Sequence, residues 1–284
     1  MKVLAANIED VMREAAARWT LVAYFCLSTM FIVIFAFAVN LDIVDGALAG
    51  AKLFGNDVQM HGNTVNIEQL VLGFESGFSG FLYFICTFLA IFATAHLVPR
   101  MQEKGTIDLY LSRPIPRVTL LLSRYIAGLI LAASNTFYLI GSMWLIVIWK
   151  THVVHPRFLM AGVIIMFVVA TLLAFAFLVG VVTSSTAVSI MTTYATFFFG
   201  FMLVGHSRFA AAVSKEWQAA VINGLYWIFP KSAEMFGAVI SFVSDKALPR
   251  QLAAALTPAS FISTAIFAIA CLSLASWLFH RKEF

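Results

Sequence analysis

Five stretches of this chain contain no Asp, Glu, Lys or Arg: residues 19–41, 76–99, 125–149, 158–207 and 251–280, which are 23, 24, 25, 50 and 30 residues long. A helix crossing the hydrocarbon core of a bilayer needs about 20 apolar residues. The longest stretch has room for two such helices, so the pattern predicts six spans. Inside the core each backbone polar group must be satisfied by its own segment or a closed sheet. Uninterrupted apolar runs of this length are therefore helical. Composition agrees: 62% of the 284 residues are hydrophobic, 11% are charged and the mean hydropathy is +0.94. Water-soluble chains carry about 25% charge, so an ordinary soluble domain, a disordered chain and a collagen are all excluded. The fold class expected is all-α and polytopic, with residues 1–284 forming one transmembrane domain.

The net charge of +4 suits anionic lipid headgroups and gives no support to nucleic-acid binding. Cys26, Cys86 and Cys271 lie in charge-free runs and read as apolar fillers, without disulfide or metal spacing. Phe35-Ala36-Phe37-Ala38 imitates a signal-peptidase site, but the 18 residues before the first run hold Glu9, Asp10 and Glu14, unlike a short basic leader. In that segment Leu4, Ile8, Val11 and Ala15 recur at helical spacing, which predicts an amphipathic helix over 1–19 lying on the membrane surface up to Trp19. A solvated extension of the first span is the alternative.

The spans are expected at about 20–39, 78–98, 119–149, 158–182, 187–206 and 258–279. Residues 40–75, rich in Gly, Asn and Asp, read as a loop with weak helical pieces. The third span is longer than a bilayer core, so the turns around Arg124 are expected to project from it or snorkel to its surface. Between the fifth and sixth spans, residues 207–257 hold two apolar pieces, 217–229 and 235–243, each too short to cross and separated by Pro230-Lys231. They predict a re-entrant or interfacial helical hairpin, with a surface loop as the alternative. Lys and Arg near span ends set orientation. Residues 100–124 carry Arg100, Lys104, Arg113, Arg117 and Arg124, whereas 42–75 carry only Lys52. This places the 99–118 segment and both termini in the cytoplasm of a plasma (inner) membrane protein. The five basic residues of 207–257 pull the other way.

Residues 99–118 carry the most information. Gly105 stands where a helix C′ residue is wanted, Thr106 can cap a new short helix, and Asp108 falls in its first turn. Ile107, Leu109, Tyr110 and Leu111 give that helix more apolar surface than a free cytoplasmic turn would show. Pro114 biases Arg113 away from helix, and Pro116 stiffens the exit. A short rigid helix of this kind can dock in a groove of a partner or lie on the bilayer. The segment Glu103-x-Gly105-Thr106-Ile107-Asp108-Leu109-x-Leu111-Ser112-Arg113-Pro114-x-Pro116-Arg117 resembles the cytoplasmic motif of ABC-2-type transporter permeases. It is most similar to the branch with the copper-processing, sodium-export and bacitracin-export permeases. Thr183-Ser184-Ser185-Thr186-Ala187 and the ending Phe279-His280-Arg281-Lys282-Glu283-Phe284 agree with it.

The resemblance implies a permease, with export the expected direction, driven by two copies of a separate ATPase subunit that carry the ATP and Mg. It pairs with a second permease, identical or paralogous. Residues 103–113 would be the coupling helix, with Glu103, Gly105, Thr106, Ile107, Asp108, Leu109, Leu111, Arg113 and Pro114 as its contact residues. The chain itself shows no phosphate-loop motif, and no cofactor of its own is expected. Glu75 and Asn135 are the candidate pathway residues, because polar groups at membrane depth are often functional. Glu75 reads as close enough to the headgroups to be solvated, and Asn135 can equally bridge two helices. His152-x-x-His155 lacks a third ligand, so no metal site and no catalytic residue is expected. The 28 Phe read as lipid-facing bulk. An intramembrane enzyme or a passive channel is the alternative function, although neither convergent titratable groups nor a ring of charge is seen.

Overall fold

A computed structural model describes residues 19–44, 47–53, 56–57, 67–103, 116–213, 215–244 and 257–282, together with Glu9 and Arg13. Its helices are α1 (Trp19–Ala38), α2 (Ile67–Thr94), α3 (Leu97–Met101), α4 (Arg117–Thr151), α5 (Arg157–Thr183), α6 (Thr186–Leu203), α7 (His206–Ala212), α8 (Glu216–Ile228), α9 (Ser232–Ser244) and α10 (Pro258–Arg281). Five stretches among the described residues are long and apolar enough to cross a membrane: Val71–Met101, Arg117–Thr151, Arg157–Thr183, Thr186–Leu203 and Pro258–Arg281. Helix α1 adds 20 further residues without a charge. The proposed surface helix over 1–19 lies outside the described residues apart from Glu9 and Arg13, whose exposed side chains pair at 2.6 Å, four residues apart, and from Trp19, which opens α1.

Helix boundaries follow local chemistry. Helix α2 is interrupted at Ala95-His96, four and three residues before Pro99. Proline lacks the N–H that would reach back to residue 95, and its ring crowds that carbonyl, so α3 starts afresh. Helix α4 begins directly after Pro116 and ends at His152, which takes φ 55° and donates its N–H to the Ile148 carbonyl at 2.8 Å. Ser184 closes α5 in the same way, at φ 52°. Ser185 then caps α6 by accepting from the Val188 N–H. In the stretch 40–75, expected as loop, the structure has an antiparallel sheet of β1 (Val39–Val44), β2 (Ala47–Leu53) and β3 (Asn56–Asp57), and α2 begins at Ile67. The sheet's register slips between Asp42 and Ile43, where Gly50 lies opposite Asp42; glycine within a strand often marks such a bulge.

Helix α5 is the hub of the bundle and packs against α2, α4, α6, α9 and α10. It is apolar on every side, and its buried Ala161, Gly162, Ala174, Ala176 and Gly180 allow close approach. Gly180 needs its missing side chain, because a Cβ there would lie 3.2 Å from Pro99 Cδ of α3. Hydrogen bonds sort the helix ends into two groups. At one end, Lys150 Nζ donates to the Ala36 carbonyl at 2.6 Å, and His155 pairs with Glu75. At the other lie Gln102, Arg117, Ser184 and Lys282.

Two expectations are corrected by the packing. The Arg124 side chain does not snorkel outward: it is 1% exposed and donates Nη1 to the Leu97 carbonyl at 3.1 Å, beside the break that Pro99 imposes. An interrupted helix offers polar backbone there, and a buried guanidinium is held by such hydrogen bonds. The phenylalanines also divide. Phe37 and Phe92 are 80% and 65% exposed, whereas Phe84, Phe197, Phe201 and Phe236 cluster with Tyr83 inside the bundle, ring centres 5.3–6.4 Å apart. Edge and offset contacts between rings suit a seam where α2, α6 and α9 meet.

The two short pieces expected in 207–257 are α8 and α9. Helix α8 buries none of its residues, while α9 buries Met235, Ala238, Val239 and Val243 against α2, α5 and α6. The break between them is held by Tyr83 Oη, which donates to the Ser232 carbonyl at 2.7 Å, and by the Lys231 N–H, which donates to Thr264 Oγ1 at 3.3 Å. Tyr83 lies eight residues along α2 from Glu75, about 12 Å further into the bundle.

Candidate coupling site

Of the residues expected to contact an ATPase, Glu103 is described and exposed. Gly105, Thr106, Ile107, Asp108, Leu109, Leu111, Arg113 and Pro114 lie outside the described residues. The two feet of the segment, Gln102-Glu103 and Pro116-Arg117, are both placed, and the site is built around them.

Gln102 follows the last turn of α3. Its Nε2 donates to the Gly180 carbonyl at 2.9 Å, and its Oε1 accepts from Ser184 Oγ at 3.0 Å. Lys282, one residue past α10, donates Nζ to Gln102 Oε1 at 2.6 Å, to the Val181 carbonyl at 2.8 Å and to Ser184 Oγ at 2.9 Å. Arg117, the first residue of α4, donates Nη1 to the carbonyls of Lys282 at 2.7 Å and His280 at 3.3 Å. The acceptors Gly180 and Val181 sit in the last turn of α5, and His280 in the last turn of α10. Helix ends carry unsatisfied carbonyls and partial negative charge, so cations and amide donors are drawn there. Burial holds the Lys282 ammonium below its ordinary range. Four helix ends thus meet at the feet of the segment. Of the four residues, the sequence pointed to Ser184 and Lys282 only as parts of motifs, and to Arg117 as an end of one. Gln102 carried no signal, because a lone Gln after a proline-bearing turn has no pattern to stand out from.

The two candidate pathway residues occupy separate places. Glu75 is 1% exposed, not solvated at headgroup level as its position suggested. Its Oε2 lies 2.7 Å from His155 Nδ1, while Oε1 has no hydrogen-bond partner. Trp144 Nε1 fixes the loop by donating to the His155 carbonyl at 3.0 Å. His155 is therefore the partner of a carboxylate, and His152 forms the left-handed end of α4. No group of three His, Cys, Asp or Glu suited to a metal occurs among the described residues. Asn135 is buried between α4 and α1, donating Nδ2 to Ser28 Oγ at 2.8 Å, with Oδ1 unpartnered. From Asn135 to the end of α4 at Thr151 is 16 residues, or about 24 Å.

A further polar knot at the hairpin break escaped notice in the sequence. Tyr226 Oη donates to Glu234 Oε1 at 2.6 Å, and Lys231 Nζ donates to the Tyr226 carbonyl at 2.9 Å while lying 3.5 Å from the centre of its ring. The His206 ring stacks on Tyr226 at 3.7 Å. Lys231 and Glu234 are both buried, and spacing alone could not show that the break is folded inward.

A bundle of long apolar helices is the architecture of a multi-pass membrane protein. The family model described as ABC-2 family transporter protein matches residues 18–284, and the chain belongs to that family. It is an ABC-2-type permease, the membrane-spanning transport subunit of an ABC transporter. No curated protein matches it in sequence.

Proposed function

We propose that this chain is the membrane half of an ATP-driven exporter and that residues 103–113 seat on a separate ATPase subunit. Six spans cross the membrane, with Trp19–Ala38 as the first. Both termini face the cytoplasm of an inner membrane, and 207–257 forms a re-entrant hairpin on the outer side. Two permeases and two ATPase subunits make the assembly, with ATP and Mg held by the ATPases. Family membership supports the subunit role. The single observation that carries the coupling role is the convergence of Gln102, Arg117, Ser184 and Lys282 at the feet of the segment.

Nucleotide binding would close the ATPase pair and push residues 103–113. Because α3, α4, the α5–α6 turn and the end of α10 are bonded together there, the push would tilt helices rather than be absorbed in a loop. Glu75 and Asn135 are the proposed pathway contacts at two depths. The test is co-purification with a Walker-type ATPase. Wild type retains it, whereas Gly105→Pro combined with Leu109→Asp loses it. Equal retention by that variant overturns the coupling assignment.

A further inference from the structure

We propose that Lys282 is the positioning residue of the coupling site: its ammonium joins the exit of α3 to the α5–α6 turn, so the feet of residues 103–113 and that turn move as one body. The inference rests on the reading of 103–113 as the ATPase contact. An ammonium has three N–H donors, and here each meets one oxygen: Gln102 Oε1, the Val181 carbonyl and Ser184 Oγ, at 2.6, 2.8 and 2.9 Å. These acceptors come from two separate pieces of the chain, the exit of α3 and the α5–α6 end.

The backbone of Lys282 is held as well. Arg117 binds its carbonyl at 2.7 Å and that of His280 at 3.3 Å, which fixes the base of the lysine stem to the start of α4. A flexible side chain at a helix end ordinarily samples many rotamers; one fixed at both ends transmits displacement. The cross-bonds Gln102 Nε2 to Gly180 and Ser184 Oγ to Gln102 Oε1 close the network on itself. Losing the ammonium leaves these bonds without their common centre, and the hydrogen bonds of Gln102 and the packing of Pro99 on Gly180 then carry the link between the α3 exit and the α5–α6 end.

The experiment uses the full chain in nanodiscs, with Cys26, Cys86 and Cys271 replaced by Ala. One spin-label pair is placed at Glu103→Cys and Ala187→Cys, and a control pair at the opposite end, at Val154→Cys and Phe209→Cys; all four positions are exposed. With Lys282→Met, the distance distribution of the first pair should widen about twofold while the control pair keeps its width. Lys282→Arg should restore most of the narrow distribution. ATPase binding is measured separately, on unlabelled wild type and Lys282→Met that both keep Glu103.

A first pair that stays narrow in Lys282→Met overturns the proposal. So does equal broadening of both pairs, which marks general loosening, or a failure of Lys282→Arg to restore order. Loss of ATPase binding by every form, wild type included, instead removes the coupling reading and leaves the spin-label result standing.

Discussion

Glu75 and His155 form a hydrogen-bonded pair with the Glu75 side chain buried, and its chemistry gives an asymmetric prediction. His155→Ala leaves a buried carboxylate without its partner, which costs about 3 kcal/mol. Glu75→Gln keeps a hydrogen bond to a neutral imidazole and costs about 1 kcal/mol. Thermal unfolding in detergent should rank the two variants in that order. Asn135 gives a second contrast. Ser28→Ala strands the Asn135 amide donor and costs about 1–3 kcal/mol, whereas Ser28→Ala combined with Asn135→Leu removes both partners and stays within about 1 kcal/mol of wild type. The reverse ranking would show that Asn135 holds something besides Ser28. Lys282 carries a pH dependence. Its folded-state pKa is depressed by burial, so its contribution to stability is fully present above the ordinary lysine value and is lost as pH falls through the depressed one. The difference in melting temperature between wild type and Lys282→Met should grow with rising pH in that window.

Element contacts decide which glycines matter. A Cβ on Gly200 of α6 would lie 2.7 Å from the Pro230 carbonyl and 2.9 Å from Ser232 Oγ, so the hairpin break would have to move. Gly200→Ala should cost about 1–3 kcal/mol through overpacking. Gly77, on α2, meets nothing within 4 Å, and Gly77→Ala should be neutral or stabilise by up to about 1 kcal/mol. Equal melting temperatures for the two variants would mean that α6 does not press on the break. Much at this scale was legible in the sequence. Helices α4, α5, α6 and α10 match the expected spans within three residues at either end: Arg117, Lys150, Arg157, Arg208 and Arg281 stand at or near their charged ends, and Ser184-Ser185 and Thr257-Pro258 mark the uncharged ones. The sheet was not foreseen, although Asp45-Gly46 between Val44 and Ala47 is a strong hairpin signal. Its weight was lost among the glycines and asparagines of a stretch read as loop.

For the molecule as a whole, the proposed orientation rests on the basic residues gathered in 100–124. A membrane-impermeant thiol reagent added outside intact cells should label Val154→Cys and leave Glu103→Cys unmodified. Labelling of Glu103→Cys alone would invert the molecule and put the coupling segment on the wrong side. The two groups of helix ends also suggest a division of labour. One end gathers Glu75, Lys150 and His155, and the other gathers the network around Lys282 that underlies the proposed drive.

The sequence by itself determined that the chain is a membrane bundle and that Pro230 parts two short apolar pieces before the last span. These are local matters, since each residue faces the same choice between lipid and water wherever its neighbours end up. Tertiary structure alone decided that Arg124 turns inward, that Glu75 finds His155 and that Lys282 gathers four helix ends. Gln102 and Lys282 are 180 residues apart, Arg117 and Lys282 165, and Glu75 and His155 80. Such partners are chosen by how the helices pack about α5, and no spacing along the chain encodes them.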